Sequence, residues 1–257
     1  MKALKIVIIA LLMAGCDSNI DFSGPAPEPP SPGGGKDILI SEIATFINTD
    51  ATAGGARNHY VELYNGTANA VDLSKYAIGY QASLDENTLS DWSFTSNTNY
   101  LILTGSLDKG KCYVIASPQA NATAVKRDID WGTTSTTNAD ASKPLQLSGN
   151  SGIALLKKDA AGTYKLNGES YIIIDAFGSP NVARVTSGGS SSGRNNLMWT
   201  IAGETKDTRN RTIWRKGTVK DPNPDWATGK GTTASNSEWS ISGDRTWDYT
   251  NIGLPSN

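Results

Sequence analysis

The chain has 257 residues, with 23 lysines and arginines against 25 aspartates and glutamates and a formal net charge of −2, so its net charge gives polyanion binding no help. One histidine and two cysteines argue against a zinc site built from nitrogen and sulfur ligands. The 26 glycines punctuate short apolar runs, the texture of a β protein rich in turns.

Residues 1–15, MKALKIVIIALLMAG, carry two lysines and then an apolar run from Ile6 to Ala14. This is the layout of a secretory signal, and it is too short to span a bilayer comfortably. Ala14 and Gly15 directly before Cys16 resemble the lipobox of bacterial lipoproteins, with Met13 where leucine is usual. That resemblance implies cleavage before Cys16, acylation of Cys16 and a membrane anchor without a transmembrane helix, each buried methylene contributing about 0.8 kcal/mol. Cleavage would remove Lys2 and Lys5, so 23 less 2 leaves 21 basic side chains against 25 acidic ones, a charge of −4. Cys112, inside CYVIAS, would be the remaining cysteine, read as a buried thiol with no disulfide partner. Residues 16–36 are the lipidated N-terminus and a tether, in which GPAPEPPSPGGG favours extended polyproline and then a glycine hinge. At about 3.1 Å per residue that stretch spans roughly 35–40 Å.

From residue 37 onward the chain reads as short strands: DILISEIA, YVELYN, VDLSKYAIGYQ, YLILTG, KCYVIAS, PLQLSG, SGIALLKK and YIIIDAFG. Strict alternation in ILISEI sets Ile38, Ile40 and Glu42 on one face and Leu39, Ser41 and Ile43 on the other. In YVELYN it sets Val61 and Leu63 together against Tyr60, Glu62 and Tyr64, so Glu62 points away from the main core. Asn65-Gly66 predicts a tight turn with positive backbone dihedrals, and Asp72 predicts a turn carboxylate. No window long enough for a helix keeps a 3.6-residue apolar stripe. The pattern is that of an all-β antiparallel sandwich or barrel, with long polar loops around 117–143 and 187–193 and a tail from Leu197.

In chain order, ILISEI, YVELYNGTANAVDLSKYAIGY, LTGSLDKGKCYVIAS, LQLSGNSGIALLKKD and IIIDAFG resemble the lamin-tail domain family. The resemblance implies an immunoglobulin-like antiparallel β-sandwich over residues 37–186, with residues 187–257 as a Trp-rich C-terminal extension packed on it. The stretch from NRTIWRKG to DYTNIG looks like the C-terminal region of lamin-tail proteins from Bacteroidetes. The two long loops depart from the family pattern. The family implies a non-enzymatic, extracytoplasmic module and no particular ligand.

Glu42 and Glu62, neighbours across two strands, with Asp175, are the candidates for an oxygen-rich calcium site. No DxDxDG run supports them, and a local role for Glu62, accepting bonds from backbone amides or an arginine, is the favoured reading. His59 is the only histidine that a Ser-His-Asp or Cys-His arrangement could use, and no nucleophile-elbow sequence accompanies it. GGSSSG lacks the lysine and following helix of a phosphate loop. The chain is therefore read as non-enzymatic and without a cofactor. In the tail, Arg209, Arg211 and Arg215 share one parity around Trp214, and basic side chains beside aromatics can hold phosphates and bases. A solvated strand face pairing with the acidic body is favoured over that role. Trp214, Trp226 and Trp239 could stack on sugars, but stapling the tail to the sandwich is favoured.

These readings predict a non-catalytic, membrane-anchored lamin-tail lipoprotein, a binding or structural module at the bacterial cell envelope. It would be an outer-membrane lipoprotein facing the periplasm or the cell surface. The alternatives are a glycan-binding surface lipoprotein of a polysaccharide-uptake system and an accessory nucleic-acid-binding protein. By class, its partners are membrane, protein or glycan, with nucleic acid disfavoured.

Overall fold

The structure is a computed structural model that describes residues 34–45, 57–81, 89–95, 99–132, 145, 147–186, 197–204, 207–243, 246–250 and 252–253. The signal, Cys16 and the tether up to residue 33 lie outside the described residues, as do residues 133–144 and 187–196.

The strands in chain order are β1 (Leu39–Thr45), β2 (Tyr60–Tyr64), β3 (Val71–Asp72), β4 (Tyr76–Gln81), β5 (Tyr100–Ile102), β6 (Ser106–Leu107), β7 (Cys112–Ala116) and β8 (Ile129–Asp130). They continue with β9 (Gly152–Lys158), β10 (Tyr164–Leu166), β11 (Glu169–Phe177), β12 (Val185–Thr186), β13 (Leu197–Met198), β14 (Arg211–Arg215) and β15 (Trp239–Ile241). A short helix, α1 (Trp226–Gly229), follows β14 and is capped by Asp225, whose side chain accepts from the Ala227 and Thr228 amides.

A six-stranded sheet has the order β15-β14-β1-β2-β7-β8 and a five-stranded sheet the order β10-β11-β9-β4-β5. Pairing within them is antiparallel, except that β8 runs parallel to β7. The sheets meet face to face: Ile40, Ile43, Val61, Leu63, Ile115 and Ile213 of the first share one apolar cluster with Ile78, Ile153, Leu155 and Phe177 of the second. The all-β architecture expected from the alternation is the one found.

The tail enters this architecture as part of a sheet. β14 pairs with β1, Glu42 opposite Trp214 and Thr45 opposite Arg211, so strands from both sides of residue 186 lie side by side. Trp199, Trp226 and Trp239 are buried in the common core. Their rings and that of Phe177 meet edge-on, with centroids 4.9 Å apart for Phe177–Trp226 and 5.3 Å for Phe177–Trp239. Such pairs add roughly 0.5–1.5 kcal/mol each beyond the area they bury.

Two β-bulges overturn simple alternation. On β1 the register against β2 passes from Ile40 opposite Leu63 directly to Glu42 opposite Glu62, leaving Ser41 as the extra residue. A bulge resets which side chains share a face, so Ile38, Ile40 and Ile43 all enter the core and Glu42 leaves their face. On β11 the register against β9 shifts between Ile173 and Asp175. Ile173 packs with the cluster on the outer side of the five-stranded sheet, while Asp175 turns inward and accepts from the Ile40 amide at 2.7 Å.

The Asn65-Gly66 turn also differs from expectation, since neither residue has a positive φ. β2 and β3 belong to different sheets, so no tight hairpin joins them. The Asn65 side chain shapes the corner instead: Oδ1 accepts from the Thr67 amide at 3.0 Å, and Nδ2 donates to the Asn69 and Leu107 carbonyls at 2.9 and 2.8 Å. Asp72 behaves as its type suggests, capping the 3-10 turn Leu73–Lys75 through the Ser74 amide.

The start of the described chain is clamped to this frame. Gly35 N–H donates to Gly66 O at 3.1 Å, and Lys36 N–H to Asp221 Oδ1 at 2.8 Å. Asp37 accepts from Tyr76 Oη at 2.6 Å and pairs with Lys157. A Cβ on Gly35 would sit 2.6 Å from the Lys220 carbonyl oxygen, so only glycine allows that approach.

Candidate functional site

The β1 bulge and the antiparallel register place Glu42 directly opposite Glu62, with both side chains buried at 2% and 3% exposure. Tyr60 Oη donates to Glu42 Oε1, and the Trp214 side chain also donates to Glu42. Ser41 Oγ donates to Glu62 Oε1 at 2.6 Å, the Gly253 amide to Oε2 at 2.8 Å, and the Cys112 thiol to the same carboxylate. Burial, then the facing Glu62 charge, holds Glu42 well above the usual carboxylate range. Burial likewise pushes Glu62 up to about 7, against the pull of its three donors. Burial and the neighbouring Glu62 charge raise the Cys112 thiol too, which makes it a poor nucleophile. Glu62 points away from the main core, as its parity predicts, but it is covered, and its backbone partner is Gly253.

Asp175, grouped with this pair on sequence grounds, belongs elsewhere. It faces inward and ion-pairs with Arg215, while accepting from the Ile40, Ala176 and Asn223 amides at 2.7, 3.0 and 2.9 Å. Among the described residues, no three His, Cys, Asp or Glu side chains are placed to hold a metal ion. The trio therefore does not assemble, because the β11 bulge sends Asp175 to the opposite face of β1 from Glu42.

The tail cations do not form a solvated face. Arg215 and Arg211 are buried, and Arg209 precedes β14 in the turn. Arg215 bridges Asp175 and Glu238, donates from Nε to Ile40 O at 3.2 Å, and lies 4.1 Å over the Trp239 ring. Arg211 donates from Nε to Asp207 O at 2.6 Å and from Nη1 to Ser242 O at 3.0 Å. Arg211 serves backbone carbonyls, and Arg215 one carbonyl and two acids, because a charge so placed needs partners on its donors. Trp226 and Trp239 are buried in the core, and Trp214 is half-buried beside Glu42. His59 is buried and accepts the Leu147 amide at 2.9 Å through Nδ1. Burial lowers its pKa to about 3, so it stays neutral.

An open cleft of about 420 Å³ lies beside β11, with Trp92, Tyr164, Ile173, Asn181, Asp225 and Trp226 among its lining residues. Gly79 and Gly152 make room for its aromatic wall. A Cβ on Gly79 would meet Phe94 Cε1 at 2.4 Å, and one on Gly152 would meet Trp92 Cη2 at 2.7 Å. Trp92 stacks on Phe94 with centroids 5.7 Å apart. Asp225 is committed to capping α1, its oxygens taken by the Ala227 and Thr228 amides and by Thr228 Oγ1. The cleft thus combines aromatic side chains with polar groups and the Asp225 carboxylate, which its donors hold below the usual range.

No family model matches the sequence, and no curated protein matches it. Among solved structures the chain is similar to the crystal structure of a DUF4876 family protein from Bacteroides thetaiotaomicron, with 12% identity and a TM-score of 0.38 over 85% of this chain and 71% of that one. A likeness at that level carries no argument about function. Among the described residues no helix is long and apolar enough to cross a membrane.

Sequence reasoning missed the partners of the carboxylate pair. Tyr60 and Cys112 sit on strands that alternation does identify, but pairing them with Glu42 and Glu62 requires the strand order. Gly253 lies 191 residues from Glu62, and no local signal links the two. Trp92 and Tyr164 carry no motif, and the room for Trp92 and Phe94 comes from Gly152 of β9 and Gly79 of β4.

Proposed function

We propose that the protein is a non-catalytic binding or structural module of the cell envelope, an immunoglobulin-like sandwich of the lamin-tail kind held at an outer-membrane surface through acylated Cys16 and the tether of residues 16–36. The observation that carries this reading is how the chain enters the sandwich. Gly35, Lys36 and Asp37 are tied to the loop residues Gly66 and Asp221 and to Tyr76 of β4, and β1 follows at once between β2 and β14. A pull on the tether therefore reaches the body at one fixed point, inside a sheet hydrogen-bonded on both sides. In further support, the stretches that resemble the family fall on strands: ILISEI on β1, YVELY on β2, CYVIA on β7, GIALLKK on β9 and IIIDAF on β11. The test is fractionation of cells making the full chain or its Cys16→Ser variant. The wild type is expected with the membranes and the variant in the soluble fraction, and a variant that stays with the membranes refutes the anchor.

A second reading, glycan binding, is favoured by the aromatic cleft. It rests on Trp92 and Tyr164, and the buried Trp226 and Trp239 rings take no direct part. Titration of soluble oligosaccharides against tryptophan fluorescence is expected to give saturable quenching that is lost in Trp92→Ala. Equal responses from the two proteins refute this reading. The nucleic-acid alternative is less supported, because Arg211 and Arg215, two of its three candidate arginines, are buried.

A further inference from the structure

The outer side of the six-stranded sheet is covered by the end of the chain, residues 246–250 with Ile252 and Gly253. Trp247 Nε1 donates to Thr45 O at 3.0 Å, the Asp248 amide to Thr212 Oγ1 at 3.0 Å, and Asn58 Nδ2 to Tyr249 Oη at 3.3 Å. The Tyr249 ring lies 6.4 Å from that of Tyr60. Ile252 is buried among Ala44, Tyr60, Val114 and Ala116, and the Gly253 amide ends on Glu62. Beneath this segment lies the Glu42–Glu62 pair. Its donors are neutral groups from every surrounding element: Ser41 on β1, Tyr60 on β2, Cys112 on β7, Trp214 on β14 and the Gly253 amide of the segment itself. The other charges the pair feels are acidic, Asp128 ahead of β8 and Asp248 on the covering segment. Among the described residues neither carboxylate has a cationic partner.

We propose that this chain end is a proton-sensitive strap: protonated carboxyls keep it seated across the Glu42–Glu62 pair, and loss of the proton to solvent unseats it and uncovers the apolar face around Tyr60, Val114 and Ala116. Two facing carboxylate charges that are buried without a cation repel each other and lack hydration. Water reaches them only if the cover lifts. The sense of the linkage follows from burial. The seated state holds Glu62 near 7, whereas a wetted glutamate titrates at 4.5, so each step up in pH favours the unseated state, which binds fewer protons. The Gly253 bond favours the charged form and works against this, but burial outweighs it. For Glu62 alone, full wetting on release multiplies the opening constant about 40-fold between pH 5 and pH 7. The inference is independent of the lipid anchor.

The test is hydrogen exchange on the full-length chain from pH 5 to pH 8, corrected for intrinsic exchange. Opening of the Trp247, Asp248 and Gly253 amides is expected to rise about 40-fold from pH 5 to pH 7, while amides of β9 and β11 do not follow. Glu62→Gln keeps an acceptor for Ser41 and Gly253 without a titrating proton, and it is expected to flatten the profile. A flat wild-type profile, or an equal rise in Glu62→Gln, overturns the proposal. Where that variant fails to fold, carbon-13 titration of Glu62 in the wild type decides: a midpoint near neutrality supports the strap, and one at the ordinary glutamate value overturns it.

Discussion

Replacing Arg215 with methionine keeps most of the side chain's apolar stem and removes its guanidinium from the seam between the sheets. The loss takes away the ion pairs to Asp175 and Glu238, the bond to Ile40 O and the contact over Trp239. Asp175, fully buried, keeps its backbone amide donors but loses the positive charge that offsets its burial. Breaking a buried pair from one side costs about 3–5 kcal/mol, out of a total stability on the order of 5–15 kcal/mol. At roughly 2–4 °C per kcal/mol for a domain of this size, the melting temperature should fall by about 6–20 °C. The sign of the pH dependence can be worked out as well. Burial already raises Asp175 and Arg215 lowers it, so removing Arg215 raises it further. A raised carboxylate contributes stability that is complete below its unfolded pKa and is lost as pH rises through the folded one, so the penalty should be larger at pH 7 than at pH 4. Urea denaturation of wild type, Arg215→Met and Arg215→Met with Asp175→Asn at both pH values measures this. The double variant should recover part of the loss, since a neutral amide needs no counter-charge. A penalty below about 1 kcal/mol, or one equal at both pH values, refutes the reasoning.

Three further outcomes follow from the same geometry. Glu62, raised from 4.5 to about 7, contributes stability that is full below about pH 4.5 and lost as pH rises through 7. Its share is up to about 3 kcal/mol, so denaturation midpoints should be higher at pH 5 than at pH 8, and Glu62→Gln should narrow that gap. Trp226→Ala opens a cavity beside Phe177, Trp199 and Trp239 and should cost about 3–5 kcal/mol, with loss of near-ultraviolet dichroism as the check. Gly79→Ala drives a methyl into Phe94 and should cost about 1–3 kcal/mol. Altered Trp92 fluorescence would report the displaced segment, and an unchanged spectrum with unchanged stability would contradict the fit.

Much of the fold can be read locally. The apolar runs at 38–45, 60–64, 112–116, 152–158 and 169–177 become strands because β-branched and aromatic residues alternate there between turn residues. Asp72 and Asp225 cap because a short carboxylate reaches the next free amides. The face of Glu62 relative to Val61 and Leu63 also follows from the two-residue period alone. The carboxylate pair was half legible: Glu42 and Glu62 stood out as strand acids, but parity along β1 put Glu42 with Ile38 and Ile40. The β1 bulge reverses that, and its position depends on β2.

What the amino-acid order determined by itself is therefore the class of structure and its punctuation, since hydrogen-bonding geometry and side-chain alternation act over a few residues. Only the tertiary structure decided which distant groups meet. It paired β1 with β14 across some 170 residues, sent Asp175 to Arg215 instead of to Glu42, hid Trp226 and Trp239 in the core, and laid the chain end over Glu62. Those outcomes depend on strand order and on two single-residue bulges. The free energy that selects them comes from burying whole faces and satisfying buried charges, and no short window of sequence contains both partners.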